Sequence, residues 1–371
     1  MVKLIKPSVL KKISLLLSKN GWDALMVTPS ADFRLLVNFD LVMDERLLAL
    51  FITKSCDAFI VGPNINKEEI SEHFGGKLPF YLWDDSDWFH NTVAKTFEDF
   101  NLTGGKIALS SSVLANKALD IAYKNSAELF NGDCIMEEIR LRKDAEELKN
   151  LRMASEIADK VMLDLQYFLK PGLTEKELAS WVVKRYLELG GSRRPGDIPL
   201  VASGPNGAIG HYDKGLRTIQ DNDVVVVDSG CGYNGYQSDT TRTFFVGQPT
   251  KKQRDIFNIV REAEHIGELT VRPGVMACEV DMAVRRYIIK QGYGELFYHR
   301  TGHGIGMEGH ERPYISASDR TILEPGMCFS IEPGIYCPGE FGVRLENIVA
   351  VTETGHEALN KASMHLRAIK S

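Results

Sequence analysis

Residues 169–190, LKPGLTEKELASWVVKRYLELG, are repeated in outline 102 positions later by residues 271–292, VRPGVMACEVDMAVRRYIIKQG. The two copies share a Pro-Gly step and a glutamate at matching places: Pro171-Gly172 with Pro273-Gly274, and Glu177 with Glu279. A Pro-Gly step commonly precedes a helix, so one match would carry little weight. Each copy, however, is followed by two apolar strand-like runs. The repeat therefore predicts two similar halves, each a helix pair followed by a β-hairpin-like unit.

The composition is that of an ordinary globular chain. It has 371 residues, 44% of them hydrophobic and 25% charged, which suggests two domains. The net charge of −6 argues against nucleic acid or an anionic membrane as the main partner. No apolar run is long enough to span a membrane, and the run at residues 13–17 is too short for a signal peptide. Six scattered cysteines without a C-x-x-C pair indicate reduced thiols and a cytoplasmic location.

The chain divides into two predicted domains. Residues 1–131 alternate helix-like and strand-like segments, and DALMVT, DAFIVGP and KIALSS have the apolar runs of buried strands. These runs predict a small α/β domain without a phosphate-binding loop or a metal cluster. Residues 132–371 form the second domain. It opens with a long helix that ends before Pro171, and the apolar face of this helix carries Leu148, Leu151, Ala154, Ile157, Ala158 and Val161.

Each half of the second domain carries two acidic residues on its strand pair. Asp228 ends the run VVVVD and Asp239 follows it, while Glu332 ends CFSIE and Glu346 lies in VRLEN. Any one of these acids alone would most simply be a solvated strand end, because a buried acid needs a neutralising partner. Four acids paired by the repeat instead predict a metal pair, since two divalent cations balance four carboxylates. With His303 as a nitrogen ligand, the donor set suits Mn²⁺ or Co²⁺, with Zn²⁺ as a further option.

Five segments of the second domain resemble the signature blocks of the pita-bread metallopeptidases, the family of methionine aminopeptidase, aminopeptidase P and prolidase. They are VASGPNGAIGH, VVVVDSG…SDTTRTF, HRTGHGIGMEGHERP, GMCFSIEPGIY and EFGVRLEN, between residues 201 and 352. The resemblance implies an α+β pita-bread (creatinase/aminopeptidase-like) catalytic domain with an internal pseudo-twofold repeat. It also implies that the N-terminal α/β domain is similar to that of aminopeptidase P, prolidase and creatinase.

The resemblance assigns the metal ligands by position. The family's five ligands fall on Asp228, Asp239, His303, Glu332 and Glu346. It implies that Asp239 and Glu346 bridge two ions, that Asp228 holds one ion, and that His303 and Glu332 hold the other. Glu332 would also accept and pass on the proton during hydrolysis.

Four further residues would act around the metals. The resemblance implies that His310 stabilises the oxyanion, that His211 faces the substrate and that His299 lines the pocket. Arg344 would orient the carboxylates and contribute to the substrate site. Outside such matched blocks, a histidine would more simply be a hydrogen-bonded core residue, and Arg344 an exposed strand arginine.

The implied reaction is hydrolysis of the Xaa-Pro bond, a bond that lacks an N–H and therefore calls for a dedicated site. The substrates would be dipeptides, as for prolidase, or longer peptides, as for aminopeptidase P, and the N-terminal domain implies short substrates and a homodimer. The segment MDERLLALFI, residues 43–52, favours an Xaa-Pro dipeptidase, although Asp44 stands where bacterial prolidases commonly have histidine.

The pocket blocks depart from the family pattern in three places. Gly210 replaces the usual proline, the usual aromatic residue is missing near Asp197, and SDTTRTF has threonine in place of isoleucine. These changes bear on the substrate and not on the metals. Three other functions compete with peptide hydrolysis on this fold: a metal-free creatinase-type hydrolase, a non-enzymatic binding module and a metallo-lyase. Five intact ligands count against the first two, and the third stays open.

Overall fold

The computed structural model describes residues 5–41, 45–192, 198–212 and 214–369. Contacts within it divide the chain into two compact units, Met1–Arg140 and Leu141–Ser371. This division lies later in the chain than the predicted boundary between residues 131 and 132.

The first unit is built on one six-stranded sheet. Its strands are β1 Ala24–Val27, β2 Ala49–Thr53, β3 Ala58–Pro63, β4 Phe80–Trp83, β5 Lys106–Leu109 and β6 Glu128–Asn131. Its helices are α1 Pro7–Asn20, α2 Ala31–Val37, α3 Lys67–Phe74, α4 His90–Asp99, α5 Ala115–Asn125 and α6 Asp133–Arg140, with a 3₁₀ turn at Asn64–Asn66. The strand order is β4-β3-β2-β1-β5-β6, and β2 is antiparallel to both of its neighbours while the other pairs are parallel.

Both faces of this sheet are buried. Leu25 and Val27 of β1 contribute to one apolar cluster, and Ala24 and Met26 contribute to a second cluster. Alternate residues of a strand point to opposite faces, so a strand that is covered on both sides must be apolar throughout. The continuous apolar runs therefore predicted these strands correctly, as they did for β3 and β5.

The second unit contains four long helices and thirteen short strands among its described residues. The helices are α7 Ala145–Phe168, α8 Glu175–Glu188, α9 Lys251–Thr270 and α10 Ala277–Lys290, with 3₁₀ turns at Gly204–Ala208 and Gly294–Leu296. Its first strands are β7 Leu200–Ser203, β8 Val224–Ser229, β9 Gly232–Tyr233, β10 Tyr236–Gln237 and β11 Thr240–Val246. The later strands are β12 Gly302–Gly304, β13 Glu311–Ile315, β14 Cys328–Ile331, β15 Gly334–Cys337, β16 Phe341–Arg344, β17 Asn347–Val351, β18 His356–Ala358 and β19 Arg367–Ile369.

The predicted repeat is present in this unit. Helices α7 and α8 precede the sheet β19-β11-β8-β7, and helices α9 and α10 precede the sheet β13-β12-β14-β17-β18. The carboxylate of Glu177 accepts a hydrogen bond from the N–H of Thr174 at 2.7 Å, and that of Glu279 accepts one from the N–H of Met276 at 2.8 Å. Each half thus begins its second helix with the same glutamate cap.

The long helix α7 buries the face that its periodicity predicted. Leu151, Ala154, Ile157, Ala158 and Val161 are all buried, and only Leu148, near the start, is half-buried. Helices α7 and α8 share one apolar cluster with strands β7, β8 and β11 of the same unit.

Strand alternation decides where the acids of the first half lie. Val225 and Val227 of β8 pack in the cluster of α7 and α8, whereas Val224 belongs to a different cluster. Asp228 shares its face with Val224, so it points away from those helices. On the paired strand, Thr241 lies directly opposite Asp228.

Two predictions from the composition concern membrane-spanning helices and the state of the cysteines. Among the described helices, none combines the length and apolar character that a membrane crossing requires. The six cysteines are free thiols, and four of them are buried: Cys231, Cys278, Cys328 and Cys337.

Candidate metal centre

Six side chains of the second unit form one continuous cluster. Their ligand atoms make three overlapping groups, and within each group all atoms lie within 4.8 Å of one another: Asp239, His303 and His310; His303, Glu332 and Glu346; Asp228, Asp239 and Glu346. Three residues belong to two groups each, and they join the groups together. The structure therefore brings all five predicted ligands into one place, together with His310.

Each ligand is held at a strand or a strand end. Asp228 lies in β8, Asp239 directly precedes β11, and His303 lies in β12. Glu332 directly follows β14, and Glu346 lies between β16 and β17. Positions anchored by strand pairing hold side chains more rigidly than free loops do, which suits a site with fixed geometry.

The ring of His303 faces the acids with an unprotonated nitrogen. His303 Nδ1 lies 3.1 Å from Gly304 O, while Nε2 lies 3.3 Å from Glu332 Oε1 and 3.8 Å from Asp239 Oδ2. Burial, followed by the neighbouring His310, lowers the pKa of His303 to about 3, so the ring is neutral at physiological pH. Donation from Nδ1 to the carbonyl leaves a lone pair on Nε2 that faces carboxylate oxygens. A cation between these acceptors fits that arrangement.

A close backbone approach beside His303 requires glycine. A Cβ on Gly302 would lie 1.9 Å from Ser330 O, so no other residue can occupy this position without moving the strands apart. The approach lets Ser330 Oγ accept the N–H of His303 at 3.1 Å and donate to Glu332 Oε1 at 3.1 Å. Ser330 thereby fixes two ligands relative to one another.

The acids repel one another in a buried place. Burial first, and then the charge of Asp228, raises the pKa of Asp239. Burial and then Asp239 raise the pKa of Glu346, and burial raises the pKa of Glu332 to about 7 against the opposing charge of Arg344. Glu346 Oε1 is also buried without a hydrogen-bond partner among the described residues. Divalent cations would relieve both the repulsion and the unpaired oxygen, so the residues fit a metal centre.

Arg344 lies behind the ligands and is buried, with only 4% of its surface exposed. Its Nη2 donates to Asp228 Oδ2 and its Nη1 donates to the hydroxyl of Tyr336 at 2.8 Å. Its Nε lies 3.3 Å from Thr241 Oγ1, and Thr241 Oγ1 donates to Glu346 Oε2 at 2.7 Å. Burial disfavours the charged guanidinium, but Tyr336 and Asp228 raise the pKa of Arg344 well above its usual value. Arg344 thus contacts two of the predicted ligands, one directly and one through a hydroxyl.

His310 belongs to the ligand cluster, whereas His299 does not. The ring centre of His310 lies 3.8 Å from that of His303, inside the cluster. His299 lies outside it: its Nε2 is 2.9 Å from the hydroxyl of Tyr336 and its Nδ1 is 2.7 Å from Arg300 O. Burial is the main cause that lowers the pKa of His299 to about 4.

His211 is exposed and follows a backbone that is anchored to the site. Gly210 donates its N–H to the hydroxyl of Tyr298 at 3.2 Å, and its carbonyl accepts from Arg344 Nη1 at 3.3 Å. A proline at position 210 could not make the first of these bonds, so the departure from the family pattern adds a contact with Tyr298. The charge of His211 contributes to the lowered pKa of His310.

Three hydroxyl residues of the site are not predicted by the sequence: Thr241, Ser330 and Tyr336. Each stands inside one of the blocks quoted above, and that position is the one signal available for it. The two residues on which the predicted specificity partly rested, Asp44 and Asp197, lie outside the described residues.

The comparison with protein families decides the family. The pattern of metallopeptidase family M24 matches residues 149–353, which is more than half of the chain. The chain is a member of metallopeptidase family M24. It is therefore an enzyme, a peptidase of a family that uses divalent metal ions.

Relatives cover almost the whole length of this M24 peptidase. The Xaa-Pro dipeptidase of Lactobacillus delbrueckii subsp. lactis is 34% identical over 364 residues, which are 97% of this chain and 98% of that protein. A probable dipeptidase, PepE, of Mycobacterium tuberculosis is 34% identical over 93% of this chain and 92% of its own. The crystal structure of a prolidase from Thermococcus sibiricus matches with a TM-score of 0.92 at 35% identity, covering 99% of this chain and 100% of that chain. The predicted pita-bread fold is thus confirmed.

Proposed function

We propose that this M24 peptidase hydrolyses the Xaa-Pro bond of dipeptides with two divalent metal ions per subunit. One observation carries the proposal: the five ligand residues and His310 form a single cluster of overlapping groups, in which His303 and Glu346 are buried. An oxygen-rich donor set with imidazole nitrogen favours Mn²⁺ as the native metal, with Co²⁺ or Zn²⁺ as alternatives. The substrate class rests on the similar Xaa-Pro dipeptidase and prolidase.

The overlap of the groups supports the assignment of ligands to ions. Asp239 and Glu346 each belong to two groups and each offer two carboxylate oxygens, which suits residues that would bridge two ions. His303 also belongs to two groups, but its ring has one free lone pair, on Nε2, and would serve one ion. Asp228 belongs to one group and would hold the first ion. Glu332, with His303, would hold the second ion.

The residues around the metals would carry out the proton transfers. When bound, the metal pair supplies an activated water and polarises the scissile carbonyl. Glu332 accepts a proton and returns it to the leaving nitrogen, and the hydroxyl of Ser330 orients its carboxylate for this step. Burial gives Glu332 a pKa of about 7 before the metals bind, so the site strongly opposes an isolated negative charge there.

His310 would stabilise the negative charge that develops on the carbonyl oxygen. Arg300 Nη2 lies 3.4 Å from His310 Nδ1, and because a guanidinium only donates, the ring proton belongs on Nε2. Burial, and then Arg300, lowers the pKa of His310, so the ring is neutral and donates through Nε2. His211 and His299 would line the substrate side, and Arg344 would orient the carboxylates from behind.

The N-terminal unit and the assembly are further parts of the proposal. The chain would have an N-terminal domain over residues 1–131 and a catalytic domain over residues 132–371. The N-terminal domain, in a homodimer, would restrict the site to short substrates. The enzyme would be cytoplasmic. Free cysteines support a reducing compartment.

The test is peptide release by enzyme loaded with Mn²⁺, Co²⁺ or Zn²⁺ on three substrates of equal first residue: Xaa-Pro, Xaa-Pro-Yaa and Xaa-Ala. Preference for Xaa-Pro supports the proposal, and preference for Xaa-Pro-Yaa makes the enzyme an Xaa-Pro aminopeptidase. Equal cleavage of Xaa-Ala indicates a general dipeptidase, which the name of the mycobacterial relative also allows. No cleavage of any peptide by metal-loaded protein refutes the proposal.

A further inference from the structure

A buried ion pair lies directly beside His310. Lys143, in the segment before α7, has its Nζ 3.1 Å from Glu311 Oε2, and both side chains are only 2% exposed. Glu311 follows His310 in the chain and is the first residue of β13. Burying two charges costs more than burying apolar side chains of similar size, so stability alone does not account for a pair at this place.

Glu311 also closes the turn that carries His310. Its Oε1 accepts the N–H of Glu308 at 3.0 Å, so one carboxylate ties together the backbone on both sides of the histidine. The turn packs tightly under this carboxylate, because a Cβ on Gly306 would lie 2.7 Å from Glu311 Oε1. Next to the histidine the packing is open: apart from its chain neighbours, a Cβ on Gly309 would meet no atom of the described residues within 4 Å. The carboxylate of Glu311 therefore anchors a turn that is loosely packed at His310.

Strand alternation converts this anchor into a direction for the imidazole. Along β13 the residues alternate between buried and exposed, beginning with Glu311 buried and Arg312 exposed, and His310 continues the alternation on the exposed side. Successive side chains of a strand point to opposite faces, so fixing Glu311 inside directs His310 to the open face. There its ring centre lies 3.8 Å from that of His303. The pairing of β12 with β13 shifts register between His303 and Gly304, so the ladder itself holds this end of β13 less firmly.

Lys143 is itself held in place by its backbone. Its N–H donates to Gly326 O at 2.8 Å, and a Cβ on Gly326 would lie 2.8 Å from Lys143 O. Gly326 has a φ of +88°, a conformation that glycine adopts at little cost. The ammonium therefore reaches Glu311 from a fixed position. A charged hydrogen bond from such a donor holds the carboxylate in one orientation.

We propose that Lys143, acting through Glu311, positions the imidazole of His310 for the substrate. The inference rests on the proposed function, in which His310 stabilises the negative charge on the carbonyl oxygen. A donor of this kind is effective only when it is aimed at the place where the charge develops, and a displacement of about 1 Å can cost about 100-fold in rate. Lys143 would touch neither substrate nor metal, so it is a positioning residue and not a catalytic one.

The experiment measures kcat and KM for an Xaa-Pro dipeptide with Mn²⁺-loaded enzyme. Lys143→Met should lower kcat about 10- to 100-fold, because a misdirected donor fails mainly in the transition state, and should leave KM and bound Mn²⁺ within about 2-fold. In a His310→Ala background the same substitution should cost less than about 2-fold more, since residues that act as one unit do not lose their effects additively. A purely structural loss would instead multiply with that of His310→Ala.

Two further variants separate positioning from folding, with the melting temperature measured for each protein. Lys143→Met combined with Glu311→Gln leaves no unpaired buried charge, so its melting temperature should return towards that of the wild type. Its kcat should stay low, because a methionine cannot donate to residue 311. Arg142→Met is the matched control: Arg142 precedes Lys143 in the chain and pairs with Glu324 at the exposed surface, so this variant should keep the wild-type kcat.

The outcomes distinguish this inference from the proposed function. Losses of Lys143→Met and His310→Ala that multiply would overturn the inference. Recovery of kcat together with the melting temperature in the Lys143→Met, Glu311→Gln protein would also overturn it, because Lys143 would then serve folding alone. Full activity of His310→Ala would remove the residue to be positioned, while Xaa-Pro hydrolysis itself would stand. A wild-type enzyme that cleaves no Xaa-Pro substrate refutes the proposed function, and the inference falls with it.

Discussion

One buried hydroxyl provides the sharpest test of how the metal ligands are supported. Thr241 lies on β11 with no exposed surface, and its Oγ1 donates to Glu346 Oε2 at 2.7 Å while it lies 3.3 Å from Arg344 Nε. Thr241→Val keeps the β-branched shape that the strand favours and removes only the hydroxyl. If Glu346 binds metal, its carboxylate must be ionised, and the lost donor then weakens that state in particular.

The size of the effect follows from the contacts. A hydrogen bond to a charged group contributes about 1.5–3 kcal/mol, and 1.4 kcal/mol is a factor of ten in affinity. Thr241→Val should therefore weaken metal binding about 10- to 100-fold, which is the usual cost of losing a residue that orients a ligand. The same change leaves Arg344 Nε without its acceptor, so the metal-free protein should also melt at a lower temperature, by about 2–4 °C for each kcal/mol lost in a unit of this size.

Thr243 is the matched control two residues along the same strand. It is also buried, and its Oγ1 donates to Arg344 O at 2.8 Å and accepts the Arg344 N–H at 3.2 Å, so it contacts backbone and no carboxylate. Thr243→Val should lower the melting temperature and leave the affinity for Mn²⁺ unchanged. The assay is titration of metal-free protein with Mn²⁺ against a competing chelator. The supporting role of Thr241 is refuted if Thr241→Val binds Mn²⁺ like the wild type, or if both valine variants weaken binding equally.

Three further predictions concern the same unit. Asp239→Ala should abolish metal binding and hydrolysis together, because a bridging ligand serves both ions; full activity of that variant would exclude the two-metal centre. Because the pKa of Glu332 is raised to about 7, this group is largely protonated at pH 6 in the metal-free protein. Mn²⁺ binding at pH 6 should therefore release at least about one proton, and the affinity for Mn²⁺ should increase as the pH rises. Calorimetry in buffers of different ionisation heat measures the proton release, and zero release contradicts the prediction. Lys143 and Glu311 form a buried ion pair at 3.1 Å. Lys143→Met should therefore lower the free energy of unfolding by about 3–5 kcal/mol, and adding Glu311→Gln should recover most of this loss. Denaturant unfolding measures both changes, and a loss under about 1 kcal/mol for Lys143→Met would contradict the role of the buried pair.

The ligand cluster could be predicted from the sequence because the family blocks assign all five ligands by position, and the internal repeat separately marks the four acids. Asp228 and Glu332 each end an apolar run, and the internal repeat places them at the same point of each half. Strand pairing then decides what they meet: Thr241 lies opposite Asp228, and Ile331 lies opposite Asn347, which brings Glu332 and Glu346 to one end of their sheet. A periodic pattern predicts such strands well, since the alternation that buries one side chain fixes the direction of the next.

The supporting residues could not be predicted in the same way. A threonine in a strand is explained by its β-branched shape, so nothing in the sequence distinguishes Thr241, which contacts Glu346, from Thr243, which contacts backbone. The contacts of Arg300 with His310 and Tyr314 are equally unpredictable, because they depend on how strands β12 and β13 pair. Helix α6 illustrates the same limit at the level of domains. Its residues Ile135 and Met136 pack in the N-terminal core, and the helical pattern alone does not say which core receives them.

The fixed charge of Arg344 bears on how many ions the site needs. Four carboxylates carry four negative charges, and Arg344, paired with Asp228, cancels one of them. Without metal the remaining excess is relieved by protons, because burial and mutual repulsion raise the pKa of Asp239 and Glu346. One divalent ion would still leave the cluster negative, and a second makes it positive. Arg300 does not alter this balance much, because it is half-exposed and water screens its charge. Since hydrolysis develops negative charge on the carbonyl oxygen, this charge balance favours the proposed state with two ions.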